Sequence, residues 1–363
     1  MTASSAGAPL RIGIPMLTYV PEGMGGTETY AREVLPRLST NPGLELSSFL
    51  SPVGAGTLGA IGREVVVPAV NGGASTVERL RSMLAAARSR RRRLVRDVEA
   101  LFFPFTVPVP IPYDVPYAVT LHDVQHLDMP EFFPFAERLL RRFTYDMAAR
   151  RADLVITVSE FCRARIIESL RVPSSRVVVA PLGVSEAFRP GPADREDFVL
   201  YPARRWPHKN HARLVEAMDL VRRTHPRLRL VLTGGGADLQ GVPDWVEQRG
   251  YVSEADLADL YRSARCMVFP SLYEGFGMPP LEAMASGCPV AASSAGALPE
   301  VCGDAAVLFD PYSPERIAEG IETAMANAPD LASRGLSHAD AFTWDRCADV
   351  HVRALGRMAA GQP

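Results

Sequence analysis

Mainly apolar runs of a few residues recur along the chain, at residues 10–17, 100–103, 117–121, 154–158, 177–180, 198–202, 228–233 and 266–269. Runs of that length, closed by Gly, Pro or Asp and lacking strict alternation, predict parallel strands buried on both faces. Stretches of helical period separate them. Tyr30, Val34, Leu35 and Leu38 share one helix face, and residues 131–151 read as one long helix. Ser253 suits an N-cap with Asp256 as its reciprocal partner, residue 297 begins another helix, and 345–358 form the last. Residues 41–75 read as two short strands in loops rich in Gly, Pro and Ser, and 79–96 as a strongly basic helix. Strands alternating with helices predict an α/β fold of doubly wound parallel sheets. Residues 190–197, rich in Pro and Asp, read as a linker, so the 363 residues divide into domains at 1–189 and 190–344, followed by the terminal helix 345–363.

Candidate chemistry collects where strands end. After the run 266–269, Gly275 and Gly277 free the backbone for a tight turn and a close approach. Pro279 and Pro280 suit a first helical turn, Gly287 its C-terminal end, and Pro289 forbids continuation. Strand, Gly loop and helix start form an anion site, because free N–H groups and the helix dipole point at it. Glu274 and Glu282 flank that site. Ionised carboxylates only accept hydrogen bonds, so beside an anion they suit neutral hydroxyls on either side of it. A nucleotide-sugar has that layout: sugar hydroxyls, diphosphate, ribose hydroxyls. Arg204, Arg205 and Lys209 follow the strand 198–202 at the start of a helix, where cations suit a diphosphate. Gly25 and Gly26 form a second phosphate-approach loop or a plain turn. His122 and Asp123 stand at the carboxyl end of a strand, where α/β sheets place ligands, although a lone His there also serves as a structural hydrogen-bonder.

The stretch E-G-F-G-x-x-x-L-E-A-M-A-x-G-x-P-V, residues 274–290, resembles the signature of the retaining GT-B glycosyltransferases of family 4. The resemblance implies two Rossmann-like domains facing across a cleft, with the terminal helix crossing back to the first. It implies that Glu274 holds a hydroxyl of the transferred sugar and Glu282 the ribose hydroxyls. The family shows Arg-x4-Lys-Asn where this chain has Arg204 and Lys209, both touching donor phosphates. It usually has Gly where Ala203 stands, which leaves Arg205 open as the phosphate contact. It shows T-x-H-D at residues 120–123, with His122 near the donor sugar and Asp123 in support. Gly25, Gly26, Gly275, Phe276 and Gly277 fall in its donor-binding loops, and at Val252 it meets the base through backbone. The implied activity is retaining transfer of a hexose from a nucleoside-diphosphate sugar to a hydroxyl, with the departing phosphate taking the acceptor's proton. Two other classes compete: a sugar-nucleotide epimerase of the same fold, and a non-catalytic nucleotide-sugar binding protein.

Composition narrows this further. Mean hydropathy of +0.02 and the lack of any apolar run long enough to span a bilayer argue against an integral membrane protein. Residues 1–9 lack the order of a signal peptide, and five scattered cysteines point to a reducing, cytoplasmic setting without disulfides or a zinc site. A net charge of −2 does not suggest nucleic acid. No D-x-D occurs, so no catalytic metal and no cofactor beyond the donor are expected. Lys209 is the sole lysine among 39 basic residues, which suggests a place that wants a compact ammonium. Arg88 to Arg96 read either as a solvated face or as a patch for an anionic acceptor or acidic lipid at the inner membrane face.

Overall fold

The computed structural model describes residues 8–21, 25–68, 97–106, 114–191, 194–236 and 238–362. The basic stretch 79–96 lies outside them. The chain folds as two compact units: unit 1 holds Met1–Val158, Cys162–Pro181 and Trp344–Pro363, and unit 2 holds Ser159–Phe161 and Leu182–Thr343.

In unit 1 the strands are β1 (Leu10–Met16), β2 (Leu44–Leu50), β3 (Arg63–Val66), β4 (Ala100–Phe103), β5 (Tyr117–Thr120), β6 (Leu154–Thr157) and β7 (Val177–Val179). They form one sheet in the order β3-β2-β1-β4-β5-β6-β7, with every pair parallel. β4, β5 and β6 are buried at every position, as apolar runs without alternation require. Helix α1 (Gly26–Ser39) buries Tyr30, Val34, Leu35 and Leu38.

The long helix expected over 131–151 is broken. The chain runs through α2 (Gln125–Asp128), a 3-10 turn at Pro130–Phe132, α3 (Phe135–Arg141), a π-helical turn at Arg142–Asp146 and α4 (Met147–Arg151). Pro130 starts the 3-10 turn and Pro134 holds the extended position before α3, so each proline resets the backbone. Within the π-helical turn the Thr144 hydroxyl donates to the Leu140 carbonyl at 2.8 Å. Helix α5 (Glu160–Leu170) then leads to β7.

Unit 2 repeats the plan with β8 (Glu196–Pro202), α6 (His211–Val221), β9 (Arg229–Thr233), β10 (Val246–Gly250), α7 (Glu254–Ser263), β11 (Ala264–Phe269), α8 (Met278–Ala285), β12 (Val290–Ser293), α9 (Leu298–Cys302), β13 (Val307–Phe309), α10 (Pro314–Ala326) and α11 (Ala328–Ala339). Its sheet order, β10-β9-β8-β11-β12-β13, is again all parallel and reverses direction beside β8. The loops after β8 and β11, neighbouring strands, therefore leave the same edge of the sheet. That reversal is where such sheets bind ligands. Ser253 caps α7 by accepting from the Asp256 amide at 3.1 Å, but Asp256 answers through the Ser253 hydroxyl, at 2.6 Å, rather than its backbone N–H. The terminal helix α12 (Trp344–Ala359) belongs to unit 1, where it packs on α1. Among the described residues no helix is long and apolar enough to cross a membrane.

Candidate active site

The loop after β8 turns through a short 3-10 helix, Pro207–Lys209, into α6. Asn210 joins the two in the left-handed conformation, φ 62°, which Asn tolerates better than most residues. Its buried side chain donates to the carbonyls of Pro270, at 3.1 Å, and Pro311, at 2.8 Å. Asn210 thus pins together the loops that follow β8, β11 and β13. The Leu272 amide adds a bond to the His208 carbonyl at 2.8 Å, and the Tyr201 hydroxyl holds the Lys209 carbonyl at 2.6 Å.

This lattice brings Lys209 and Glu274 together. The ammonium donates to Glu274 Oε1 at 2.5 Å, with the two side chains 12% and 14% exposed. The ammonium also sits 5.1 Å from the Phe269 ring centre. An ammonium carries three protons, so two remain for other acceptors. The backbone around Glu274 is fixed by Gly296, whose φ of 64° and lack of a side chain let it lie against the Glu274 backbone, and the Ala297 amide donates to the Glu274 carbonyl at 3.0 Å.

Gly277, at φ 112°, forms the N-cap of α8, and a Cβ there would lie 2.6 Å from Leu298. Prolines 279 and 280 occupy the first turn, as their missing N–H groups allow. Glu282 stands one turn further in. Its Oε2 accepts from the Tyr261 hydroxyl at 3.1 Å, and burial pushes its carboxyl up to about 7, with the Tyr261 bond opposing and the Glu254 charge adding to the rise. Phe276 is buried against Phe342, so its ring packs the core.

The two arginines part company. Arg205 turns inward to the Gly235 carbonyl, at 3.1 Å, and to the Gln248 and Asp238 side chains. Arg204 is exposed, stacks on Trp206 with 5.7 Å to the ring centre, and among the described residues meets no carboxylate. Arg204 is therefore, of the two arginines, the one without a carboxylate partner among the described residues. Val252 begins the turn before α7, and its side chain lines a groove of about 320 Å³ with Glu196 and Phe198 that includes neither Lys209 nor Glu274.

The remaining candidates lie in unit 1. Gly25, φ 58°, is the N-cap of α1, and among the described residues a Cβ on Gly26 would meet nothing within 4 Å. Tyr30, one turn on, has its ring edge-on to the His122 imidazole at 4.9 Å between centres. His122 is held by the Pro104 carbonyl, and among the described residues its buried Nε2 has no hydrogen-bond partner. Burial pushes its pKa down to about 4, against the pull of Asp123, so the ring is neutral near pH 7. Asp123 accepts from the Gln125 amide at 3.0 Å and so starts α2.

Residues 24–188 match the family model Glycosyltransferase Family 4, and residues 185–335 match Glycosyl transferases group 1. O-antigen chain mannosyltransferase B of Escherichia coli is 33% identical over 271 residues, covering 67% of this chain and 71% of that one. The chain belongs to glycosyltransferase family 4. Longer mannosyltransferases also match this glycosyltransferase, which spans about a third of their length. Sucrose-phosphate synthase from Thermosynechococcus elongatus shares its fold, with a TM-score of 0.74 at 19% identity over 97% of this chain and 100% of that one. HepE of Anabaena, solved in complex with UDP-glucose, gives 0.70 at 16% identity over 96% and 99%. The fold is GT-B.

Sequence reasoning missed Asn210 and Tyr261 as residues that hold the candidate groups in place. Asn210 carried a signal, since it directly follows the sole lysine in the Lys-Asn pair. Tyr261 carried none: at helical spacing in an amphipathic segment it reads as core.

Proposed function

We propose that this glycosyltransferase moves a hexose, with mannose the first candidate, from a nucleoside-diphosphate sugar to a hydroxyl acceptor with retention of configuration. The observation that carries the reading is the Lys209–Glu274 pair, held at a sheet edge beside the Gly277-capped start of α8. Mannose comes from the named activity of the E. coli relative, and the nucleotide-sugar donor from the complex of HepE.

In this reading Lys209 and Arg204, with the N–H groups of α8, stabilise the charge that grows on the departing diphosphate. Glu274 keeps Lys209 in place with one oxygen and accepts a sugar hydroxyl with the other. Glu282 accepts the ribose hydroxyls. The family pattern assigns His122 to the sugar; neutral, it exchanges hydrogen bonds with hydroxyls without adding charge. The bond from the anomeric carbon to the diphosphate oxygen breaks, and a bond to the acceptor oxygen forms on the same face. The acceptor's proton passes to the departing diphosphate. The absence of D-x-D supports a reaction without a divalent metal. Five buried cysteines that form no disulfide among the described residues support work in a reducing cytoplasm, and the run Arg88 to Arg96 suits an anionic or lipid-borne acceptor at its membrane face.

Thermal-shift measurements against GDP-, UDP- and dTDP-sugars identify the donor, because a bound ligand raises apparent stability in proportion to its affinity. Turnover of that donor with EDTA present, and an NMR assignment of the product's anomer, then test the reaction. An inverted anomer overturns retention, and loss of turnover in EDTA overturns metal independence.

A further inference from the structure

The Tyr261 ring is fully buried in α7 and wedged edge-on against Phe188 at 5.8 Å. Phenylalanine would fill the same space without burying a hydroxyl, and a buried hydroxyl costs stability unless it is bonded. The recorded partner of that hydroxyl is Glu282 Oε2, at 3.1 Å. Burial and the neighbouring carboxylate push the tyrosine's own ionisation well above its usual range, so it remains a donor at any working pH. Among the described residues no partner is recorded for Glu282 Oε1.

We propose that Tyr261 is a positioning residue for the donor's ribose: its hydroxyl fixes one oxygen of Glu282 and leaves the other to accept the ribose hydroxyls. The inference rests on the reading of Glu282 as the ribose contact. It goes further in making nucleotide affinity depend on the ionisation of Glu282 and on the tyrosine that favours it.

The groups around Glu282 support this. From α7, Tyr261 favours the ionised form and Glu254 opposes it. Just past α8, the buried Cys288 thiol faces Tyr261. On α11, Arg334 turns to Asp330 and the Asp304 carbonyl, and His338 to the Val301 carbonyl. On α9, Glu300 accepts from the amides of Glu160 and Phe161. On β11, Arg265 pairs with Asp197, and Cys266 is held neutral by burial. β12 carries no titratable side chain. Among the described residues no cation therefore aids Glu282, and the Tyr261 phenol is the donor it meets.

The test is calorimetric binding of GDP and 2′-deoxy-GDP, or of the UDP pair if that base is preferred, between pH 5.5 and 9. In the unaltered protein affinity falls as pH drops through about 7, where Glu282 gains its proton. Tyr261→Phe weakens GDP binding about three- to tenfold at pH 7, the scale of one hydrogen bond. It also moves the midpoint to higher pH, recovers affinity toward pH 9, and narrows the preference for ribose over deoxyribose. A Tyr261→Phe protein with an unmoved midpoint and full sugar preference overturns the inference. Glu282→Gln separates the two levels. If it leaves binding and its pH profile unchanged, the reading of Glu282 fails and the inference with it. If it weakens binding while Tyr261→Phe changes nothing, only the role of Tyr261 fails.

Discussion

The two units solve the same problem with opposite chemistry. In unit 2 the candidate groups are ionic and already partnered: Lys209 with Glu274, and Glu282 with Tyr261. In unit 1 the candidate is neutral and half-satisfied: a His122 ring held by the Pro104 carbonyl, whose Nε2 has no hydrogen-bond partner among the described residues and whose proton affinity is depressed by burial. Ions held before the ligand arrives need no rearrangement when charge develops, which suits a departing diphosphate. A neutral ring with an idle nitrogen suits a hydroxyl. The contrast predicts that damage in unit 2 shows in nucleotide affinity and leaving-group chemistry, whereas damage at His122 shows in turnover with nucleotide affinity kept.

The largest effect tests the ionic half. Lys209→Met removes the proposed leaving-group contact and should cut turnover by about a hundred- to a thousandfold. It also strands the Glu274 carboxylate, 14% exposed, so unfolding free energy should fall by about 3 kcal/mol. Adding Glu274→Gln removes the stranded charge. The double variant should regain much of the stability and none of the activity, as read by chemical denaturation beside a donor-turnover assay. Equal recovery of both would mean that the pair only holds the fold.

Next comes the neutral half. His122→Ala should lower kcat by roughly a hundredfold, at the lower end of what a positioned catalytic group supplies, and leave nucleotide diphosphate affinity within about twofold. A matching loss of nucleotide affinity would erase the division between the units.

That division also governed what could be read from the chain. Unit 2 announced itself because both candidate glutamates lie in one contiguous segment, where Gly277, the two prolines and Gly287 each have a local backbone reason. Strands β1, β4, β5, β6, β8, β9 and β11 stand where apolar runs put them. The first misses were short elements whose identity depends on neighbours. β13 spans three residues with one exposed at 37%, and β10 reads Val-Glu-Gln-Arg-Gly, so pairing with β12 and β9 makes them strands. Helices α10 and α11 also went unread. Tyr261 reaches Glu282 across 21 positions, and Asn210 reaches Pro311 across 101, distances that no local pattern encodes. His122 was legible from its place at a strand's carboxyl end and gained weight from its resemblance to T-x-H-D; that its Nε2 lacks a partner among the described residues is a fact of the folded chain.

A smaller effect, in stability, exposes what unit 2 gives up for its buried carboxyl. The Glu282 pKa is about 7 in the folded protein and about 4.5 in the unfolded chain. The folded state therefore binds the proton more tightly, and stability is lost as pH rises from about 4.5 through 7. Glu282→Gln should raise Tm by several degrees at pH 8, equivalent to at most roughly 3 kcal/mol, and change it little at pH 5. The histidines run the other way. Burial depresses His122 and His351 in unit 1 and His211 in unit 2 to about 4, so each stabilises above pH 6.5 and loses that contribution as pH falls toward 4. A Tm gain for Glu282→Gln at pH 5 as large as at pH 8 would show that the glutamate does not carry this penalty.

The smallest expected change comes from comparing the glycine loops of the two units. Gly277→Ala must place a Cβ 2.6 Å from Leu298 at φ 112°, a conformation that side chains avoid, so it should cost about 1–3 kcal/mol. Gly26→Ala meets no described atom within 4 Å and begins α1 without a positive φ, so stability should stay within about 0.5 kcal/mol. Because the added methyl strains nothing among the described residues, a change in turnover without a change in stability points to what approaches the loop. A stable Gly26→Ala protein with raised donor or acceptor KM marks Gly25-Gly26 as a place of close ligand approach. One with unaltered kinetics reduces the loop to a turn and leaves the His122–Asp123 strand end as the candidate in unit 1 for contact with the reacting sugar.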